Sequence, residues 1–385
     1  DAKGQVFEFT YDPLNRLTAK RYTLSVNPVV EYFYDEVSKP NCIGRLSKII
    51  DTSGSTEFFY DKLGREIKSI KSVEGIAYNV EREYDVLDRL TKLTYPDAEV
   101  VNYTYDTNSG LLEKVQGAAT YAQDVTYNAK GQIKVIQYGN NTQTQYTYGQ
   151  DLRLAQILTR DEGRGTTLQN LNYIFDKNGN VATLTDNLRS NIRTYTYDNL
   201  DRLTQASNVP APGGGYGTFS YQYDSIGNMT YKSDVGVMSY GLNAGPHALT
   251  AAGGYTYQYD ANGNMAVGKN KTMTYDAENR LTEVNELGTI TSFIYDGDGG
   301  RVKKAIGSNS TIYIGSLFEK DSSGKLTKHI FAGSNRVASV ESTGSTYYYH
   351  SDHLGSSNVI TNQSGQQVQY CEYTPYGTLA RNEGI

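Results

Sequence analysis

A short signature, Tyr-Asp followed after two further residues by Gly, Asn or Asp, recurs through most of this 385-residue chain and constrains its fold more than any other feature. Clean copies begin at Tyr11 (YDPLNRL), Tyr60 (YDKLGREI), Tyr84 (YDVLDRL), Tyr127 (YNAKGQI), Phe175 (FDKNGNV), Tyr197 (YDNLDRL), Tyr223 (YDSIGNM), Tyr259 (YDANGNM), Tyr275 (YDAENRL) and Tyr295 (YDGDGGRV). Weaker copies begin at Tyr34, Tyr105 and Tyr148. From Tyr11 to Tyr295 the chain covers 284 residues in 12 intervals, a mean near 24.

The fifth position of the unit carries the physical argument. In the clean copies it is Asn15, Gly64, Asp88, Gly131, Gly179, Asp201, Gly227, Gly263, Asn279 and Gly299. Gly, Asn and Asp enter the left-handed backbone region at the least cost, so a positive φ is expected there in each repeat. Residues before each Tyr alternate, as in Tyr255-Thr256-Tyr257-Gln258-Tyr259, and alternation resumes after the turn with an Arg, Asn or Gln and then an apolar residue. Period two, a polar turn and period two again predict a β-hairpin. The carboxylates of Asp12, Asp61, Asp85, Asp198, Asp224, Asp260, Asp276 and Asp296 are placed to accept hydrogen bonds from turn amides.

The predicted fold class is all-β: tandem antiparallel hairpins joined into one long β-strip. Roughly thirty strands at about 4.8 Å spacing make a strip on the order of 140 Å long. Residues 1–300 read as the tandem-repeat strip and 301–385 as continuing hairpins, with turns at DSSG, AGSN and STGS. Irregular loops are expected around 206–218 and 242–254. No long capped helical stripe is present, the best candidate being the short stretch from Asp151 to Thr159.

Composition narrows the function. The 35 Tyr and 38 Gly, with no Trp, suit an aromatic-rich β protein, while a net charge of −6 without a basic cluster argues against nucleic acid. No apolar run is long enough to span a bilayer as a helix, and the first residues lack the pattern of a secretory signal. Cys42 and Cys371 form neither a disulfide framework nor a zinc set.

Candidate chemistry is sparse. His350, Asp352 and His353 are the one local cluster of metal-ligand types, without an evident third or fourth converging ligand. His247 and His329 lack partners in the sequence. The turns at Asp176–Asn180 and Asp296–Gly299 look faintly like calcium loops but lack the full spacing and terminal Glu, so turn chemistry is the better account. No nucleophile elbow, CxxC or phosphate-cradling loop occurs, so no catalytic residue, metal or cofactor is expected. The tyrosines read as a structural ladder between stacked repeats, with a ligand-binding platform as the other reading. Consecutive Tyr347, Tyr348 and Tyr349 must point to both faces of a strand.

The recurring Y-D-x-x-[G/N/D]-[R/N/Q]-[L/I/M/V] unit resembles the YD-repeat, or Rhs, family. It is joined by Asp352-His353-Leu354-Gly355 within YHSDHLGS and by Tyr373, Pro375, Tyr376 and Gly377 of YTPYG, a pair similar to the opening of the Rhs-associated core. The resemblance implies that the strip spirals into part of a hollow, cocoon-like shell and that the Asp-His-Leu-Gly turn is structural. In the bacterial family such shells hold a C-terminal toxin, which a later aspartic-protease region releases; the present sequence stops at Ile385, before those motifs. The expected function is thus a non-enzymatic shell segment that encapsulates and helps deliver a C-terminal effector, secreted or at the cell surface. Its expected partners are the flanking shell turns and effector of its own parent chain. The alternative is a cell-surface adhesin or carbohydrate-binding module whose partners are surface glycans.

Overall fold

A computed structural model describes residues 1–22, 29–241 and 245–384, and the described residues contain 37 β-strands and no helix. They form two compact units. One comprises Asp1–Val101 with Tyr240–Lys328, the other Asn102–Ser239 with His329–Ile385. Within each unit the strands pair antiparallel with their neighbours in sequence, as in Gly54–Tyr60 with Glu66–Val73 and Asn191–Tyr197 with Leu203–Pro210.

Why the repeat writes this architecture is visible in the first turn. The Asn15 amide donates to the Asp12 carbonyl (2.9 Å), the Asp12 amide to the Arg16 carbonyl (3.0 Å), and Asn15 sits at φ 60°. This is a type I turn followed by one left-handed residue, a three-residue hairpin connection, and the strand register shifts just before the motif Tyr as its bulge requires. Pro13, with φ preset near −65°, occupies the first central turn position. All ten fifth-position residues have positive φ, from 58° at Asp201 to 97° at Gly179.

Each unit buries apolar residues from the inward face of its strands. In the first, Val30, Tyr32 and Ile49 form one buried cluster, with Leu17, Tyr34, Leu46 and Phe58 packed around them. In the second, Ile157, Leu171, Tyr173 and Leu184 form one cluster and Ala206, Val209, Phe219 and Tyr221 another. Exposed strand positions are mostly Thr, Glu, Gln and Asn, with some Ile among them, so most strands are half-buried.

Several sequence expectations need correction. The glycine-rich stretch 206–218 is a hairpin: strands Leu203–Pro210 and Tyr216–Tyr223 pair across a turn whose Gly213, Gly214 and Gly215 all take positive φ. Glycine density there marks tight reversal, not irregularity. Of the loop expected over 242–254, residues 242–244 lie outside the described residues and Leu249–Ala252 is a strand. The stretch from Asp151 is a turn leading into strand Leu154–Asp161, because Leu152 takes φ 62° and closes a reversal from Gly149.

Candidate functional site

Two arrangements dominate the described residues: a spine along the turns, and a polar cavity beneath the Asp352 turn. The spine is built one turn at a time. The Asp12 carboxylate accepts from the amides of Leu14 and Arg16 through Oδ1 (both 2.9 Å) and from Arg16 Nε through Oδ2 (2.7 Å). The Arg16 amide, with its guanidinium, holds this carboxyl below the usual carboxylate range. Asp61, Asp85 and Asp198 repeat the arrangement with Arg65, Arg89 and Arg202; Asp224 and Asp260 do so with Asn228 and Asn264; Asp276 pairs with Arg280.

The sixth residue also reaches forward. Arg65 Nη1 donates to Asp85 O (2.7 Å), Arg202 Nη1 to Asp224 O (3.0 Å) and Arg280 Nη1 to Asp296 O (2.9 Å). The same guanidiniums lie over the next motif tyrosine, 5.1 Å from the Tyr84 ring, 4.8 Å from Tyr223 and 5.4 Å from Tyr295. Each tyrosine hydroxyl in turn donates backward to the strand that leaves the preceding turn: Tyr60 to Leu46 O, Tyr84 to Glu66 O, Tyr197 to Val181 O, Tyr223 to Leu203 O, Tyr259 to Leu249 O, Tyr275 to Met265 O and Tyr295 to Leu281 O. Tyr11 is 54% exposed. Tyr, Asp and the sixth residue are therefore one linked unit, and where the first position is Tyr its hydroxyl satisfies a carbonyl of the preceding strand, a bond that Phe175 forgoes while its ring still receives Arg153 at 5.8 Å.

The fourth position of the motif does something different. Leu14, Leu63, Leu87, Leu200, Ile226 and Leu354 stand exposed at their turn tips, Leu14 at 71% and Leu354 at 76%. Their recurrence was written in the repeat, but no periodicity argument says which way a turn-tip side chain faces.

The second arrangement lies wholly in the unit that contains His329–Ile385. A cavity of about 300 Å³ is lined by Arg193, Asp352, His353, Ser356, Glu372, Tyr373, Thr374, Pro375 and Gly377, with Leu171, Leu184, Leu203 and Tyr195 supplying its apolar wall. The DHLG and YTPYG residues thus share one cavity. Arg193 forms a buried ion pair with Glu372, whose other oxygen lies 3.4 Å from Arg381 Nε; Asp186 lies 4.0 Å from Arg193. His353 packs its ring 4.7 Å from that of Tyr173, its Nδ1 buried without a partner. Burial lowers the His353 pKa, against the pull of Asp352 and with the repulsion of Arg193. Tyr376 hydrogen-bonds the Tyr223 hydroxyl and meets the Tyr221 ring edge-on at 5.0 Å.

The remaining histidines are placed apart from this cavity. His350 is fully buried, its Nδ1 3.2 Å from Thr144 Oγ1 and its Nε2 3.1 Å from Thr361 Oγ1, and burial holds its pKa down to about 3. His329 was expected to have no partner; its Nδ1 lies 2.8 Å from Ser339 Oγ across a strand pair that the sequence alone does not register. His247 likewise has an interaction partner. No group of three or more His, Cys, Asp or Glu that could hold a metal occurs among the described residues. In the calcium-like turns the carboxylates serve the backbone: Asp176 accepts from Gly179 and Asn180, and Asp296 accepts from the Gly300 amide and from Lys71. Among the described residues no helix is long and apolar enough to cross a membrane.

Sequence reasoning missed Lys71, Asp186, Arg193 and Glu372. The Arg193–Glu372 contact joins positions 179 apart, and neither residue belongs to a motif.

Comparisons with known proteins agree with this geometry. Residues 163–384 match the family described as Teneurin YD-shell. The tRNA3(Ser)-specific nuclease WapA of Bacillus spizizenii is 25% identical over 295 residues, covering 73% of this chain and 12% of that protein. The toxin subunit YenC1 of Yersinia entomophaga is 23% identical over 377 residues, covering 77% of this chain and 38% of that protein. A crystal structure of TcdB2-TccC3-Cdc42 superposes with a TM-score of 0.82 at 19% identity, covering 99% of this chain and 23% of that one. The chain therefore spans only a minor part of the relatives it matches, and the structural likeness is one of fold.

Proposed function

The chain belongs to the Teneurin YD-shell family, a structural shell domain, and on that premise we propose that it is a non-enzymatic shell segment that encloses and helps deliver a C-terminal effector of its own polypeptide. The observation that carries the proposal is the spine. In both units the recurring side chains of the repeat are spent on joining one turn to the next, which is what a continuous wall needs and what a catalytic site would not use them for. The toxin and nuclease names of the relatives are consistent with such a role and belong to those proteins. A shell of this kind acts outside the cell that makes it, secreted or held at the surface.

The test uses the intact parent polypeptide. A segment held inside the wall resists a broad-specificity protease until denaturant unfolds the shell, and then is cut quickly. Cleavage at the rate of the free segment under native conditions overturns the proposal.

A second reading, a cell-surface binding module, is favoured by the exposed apolar row at the turn tips, including Leu14, Leu63 and Leu87 in one unit and Leu200, Ile226 and Leu354 in the other. Saturable binding of the 385-residue chain on a glycan array, lost on changing several of these to Ser, moves this reading ahead.

A further inference from the structure

The turns follow a rule that includes a cation. At Arg65, Arg202 and Arg280, each the sixth residue of its turn, the guanidinium makes three contacts: the carboxylate of its own turn, a backbone carbonyl of the next turn and the ring of the next motif tyrosine; Arg16 takes the Asp35 carboxylate in place of the carbonyl. Arg202 shows all three, with Asp198 Oδ2 at 2.7 Å, Asp224 O at 3.0 Å and the Tyr223 ring at 4.8 Å. Arg280 repeats them with Asp276, Asp296 O and Tyr295.

The Asp352 turn keeps this frame but carries Ser356 at the sixth position. Asp352 Oδ1 accepts from Leu354 N and Ser356 N, both at 2.9 Å. Tyr373 holds its place as the next tyrosine, its hydroxyl donating to Ser357 O at 3.3 Å. Thr374 closes the following turn, its amide on Thr378 O and its carbonyl on Gly377 N. Carboxylate, carbonyl-bearing turn and ring are all present, and Asp352, Ser356, Tyr373, Thr374 and Pro375 together line the cavity of about 300 Å³.

Charge points the same way. Glu372 in this cavity is matched by Arg193 and Arg381, whereas Asp352 Oδ2 has no ion-pair or hydrogen-bond partner among the described residues. The turn at Asp296 shows what such a carboxylate does. Its sixth residue is Gly300, and a cation from a distant strand, Lys71, comes to Asp296 Oδ2 at 2.6 Å. At Asp352 no such cation arrives from the described residues.

We propose that the cavity between the Asp352 and Thr374 turns is a guanidinium-binding site that takes an arginine side chain presented by another polypeptide segment. A planar guanidinium satisfies carboxylate, carbonyl and ring at once, as an ammonium does only in part and a neutral urea group does without the ion pair.

The probe is the peptide acetyl-Gly-Arg-Gly-amide, titrated into the 385-residue chain by calorimetry or NMR beside its lysine and citrulline counterparts. Saturable millimolar binding of the arginine peptide is expected, weaker for lysine and at least tenfold weaker for citrulline. Ser356→Arg supplies the guanidinium from within the chain, so it abolishes binding and raises the melting temperature. Asp352→Asn keeps the Oδ1 acceptor of the turn and weakens binding at least tenfold, so it serves as the test even if Ser356→Arg fails to fold. Absence of saturable binding, equal affinity for arginine and citrulline, or unchanged binding by a folded Ser356→Arg or Asp352→Asn chain overturns the proposal.

Discussion

Lys71 Nζ lies 2.6 Å from Asp296 Oδ2, so a strand residue 225 positions away takes the place that Arg or Asn fills in turns such as those at Asp12, Asp198 and Asp260. Both side chains are mostly buried, at 13% and 23% exposure. The tip they secure is closely fitted: Gly297 N donates to Asp51 Oδ2 at 2.8 Å, Lys20 Nζ donates to Gly297 O at 2.9 Å, and a Cβ on Gly297 would lie 2.6 Å from Val30 Cγ1.

Removing the cation leaves a carboxylate in a mostly buried place without its partner. Lys71→Met, which keeps the apolar stem, is expected to cost about 1–3 kcal/mol in urea unfolding. A double-mutant cycle with Asp296→Asn should return a coupling of about 0.5–3 kcal/mol. Additivity of the two changes would show that the contact contributes nothing.

The left-handed turn positions separate backbone strain from crowding. Gly263 sits at φ 85° with nothing near a built Cβ, while Gly64, also at φ 85°, would bring its Cβ 2.4 Å from Arg45 Nη2. Gly263→Val is therefore expected to lose about 1–3 kcal/mol from backbone strain alone, and Gly263→Asn much less. Gly64→Asn, by contrast, must also displace the Arg45 guanidinium. Thermal melts of the three variants test the difference; equal tolerance of Val and Asn at Gly263 rules out the turn strain.

Local chemistry explains why so much of the fold was legible. A turn needing positive φ accepts few residue types, so Asn15, Asp88 and Gly227 announce themselves at one position, and alternation around them gives the strands. The cavity was legible only as two motifs, DHLG and YTPYG, which hairpin register alone sets on neighbouring turns because strand Ser357–Asn362 pairs with Gln367–Tyr373. What the sequence did not show is the wall facing them, Leu171, Arg193 and Leu203, held there by packing between strands distant in sequence: Tyr138 donates to Tyr349 O at 3.1 Å, and Gln169 to Asn358 Oδ1 at 2.8 Å. Contacts of that kind depend on how hairpins stack, and a local repeat carries no record of it. The misread glycine stretch at 213–215 failed for a related reason, since glycine serves a tight reversal as readily as a loose loop.

The backward hydroxyl bond of the spine is testable by deletion of one oxygen. Tyr197→Phe removes the donor to Val181 O at 2.9 Å while keeping the ring. A loss of about 0.5–1.5 kcal/mol is expected in denaturant unfolding. Tyr84→Phe, which loses the bond to Glu66 O in the other unit, should add to it without coupling because the sites share no partner. Neutral substitution at both positions would mean that the rings alone hold the repeats together.

Acid should weaken the unit that holds His350 before it reaches the carboxylates. His350 is fully buried between Thr144 and Thr361, edge-on to the Tyr138 ring at 4.6 Å, and burial lowers its pKa to about 3 from an ordinary 6.5. The unfolded chain therefore takes up a proton below pH 6.5 that the folded chain refuses until about pH 3. Stability on this account is fully present above the ordinary histidine pKa and falls as pH drops through that window, by up to about 1.4 kcal/mol per pH unit. His353, whose pKa burial also lowers, acts in the same direction. Between pH 6.5 and 5 few carboxylates titrate, so a fall in urea midpoint over that interval isolates the histidines. His350→Gln can still hydrogen-bond a threonine and cannot charge, so it should flatten the profile there even if it lowers stability at pH 7.5. A profile equally steep in His350→Gln and the parent chain would assign the acid sensitivity elsewhere.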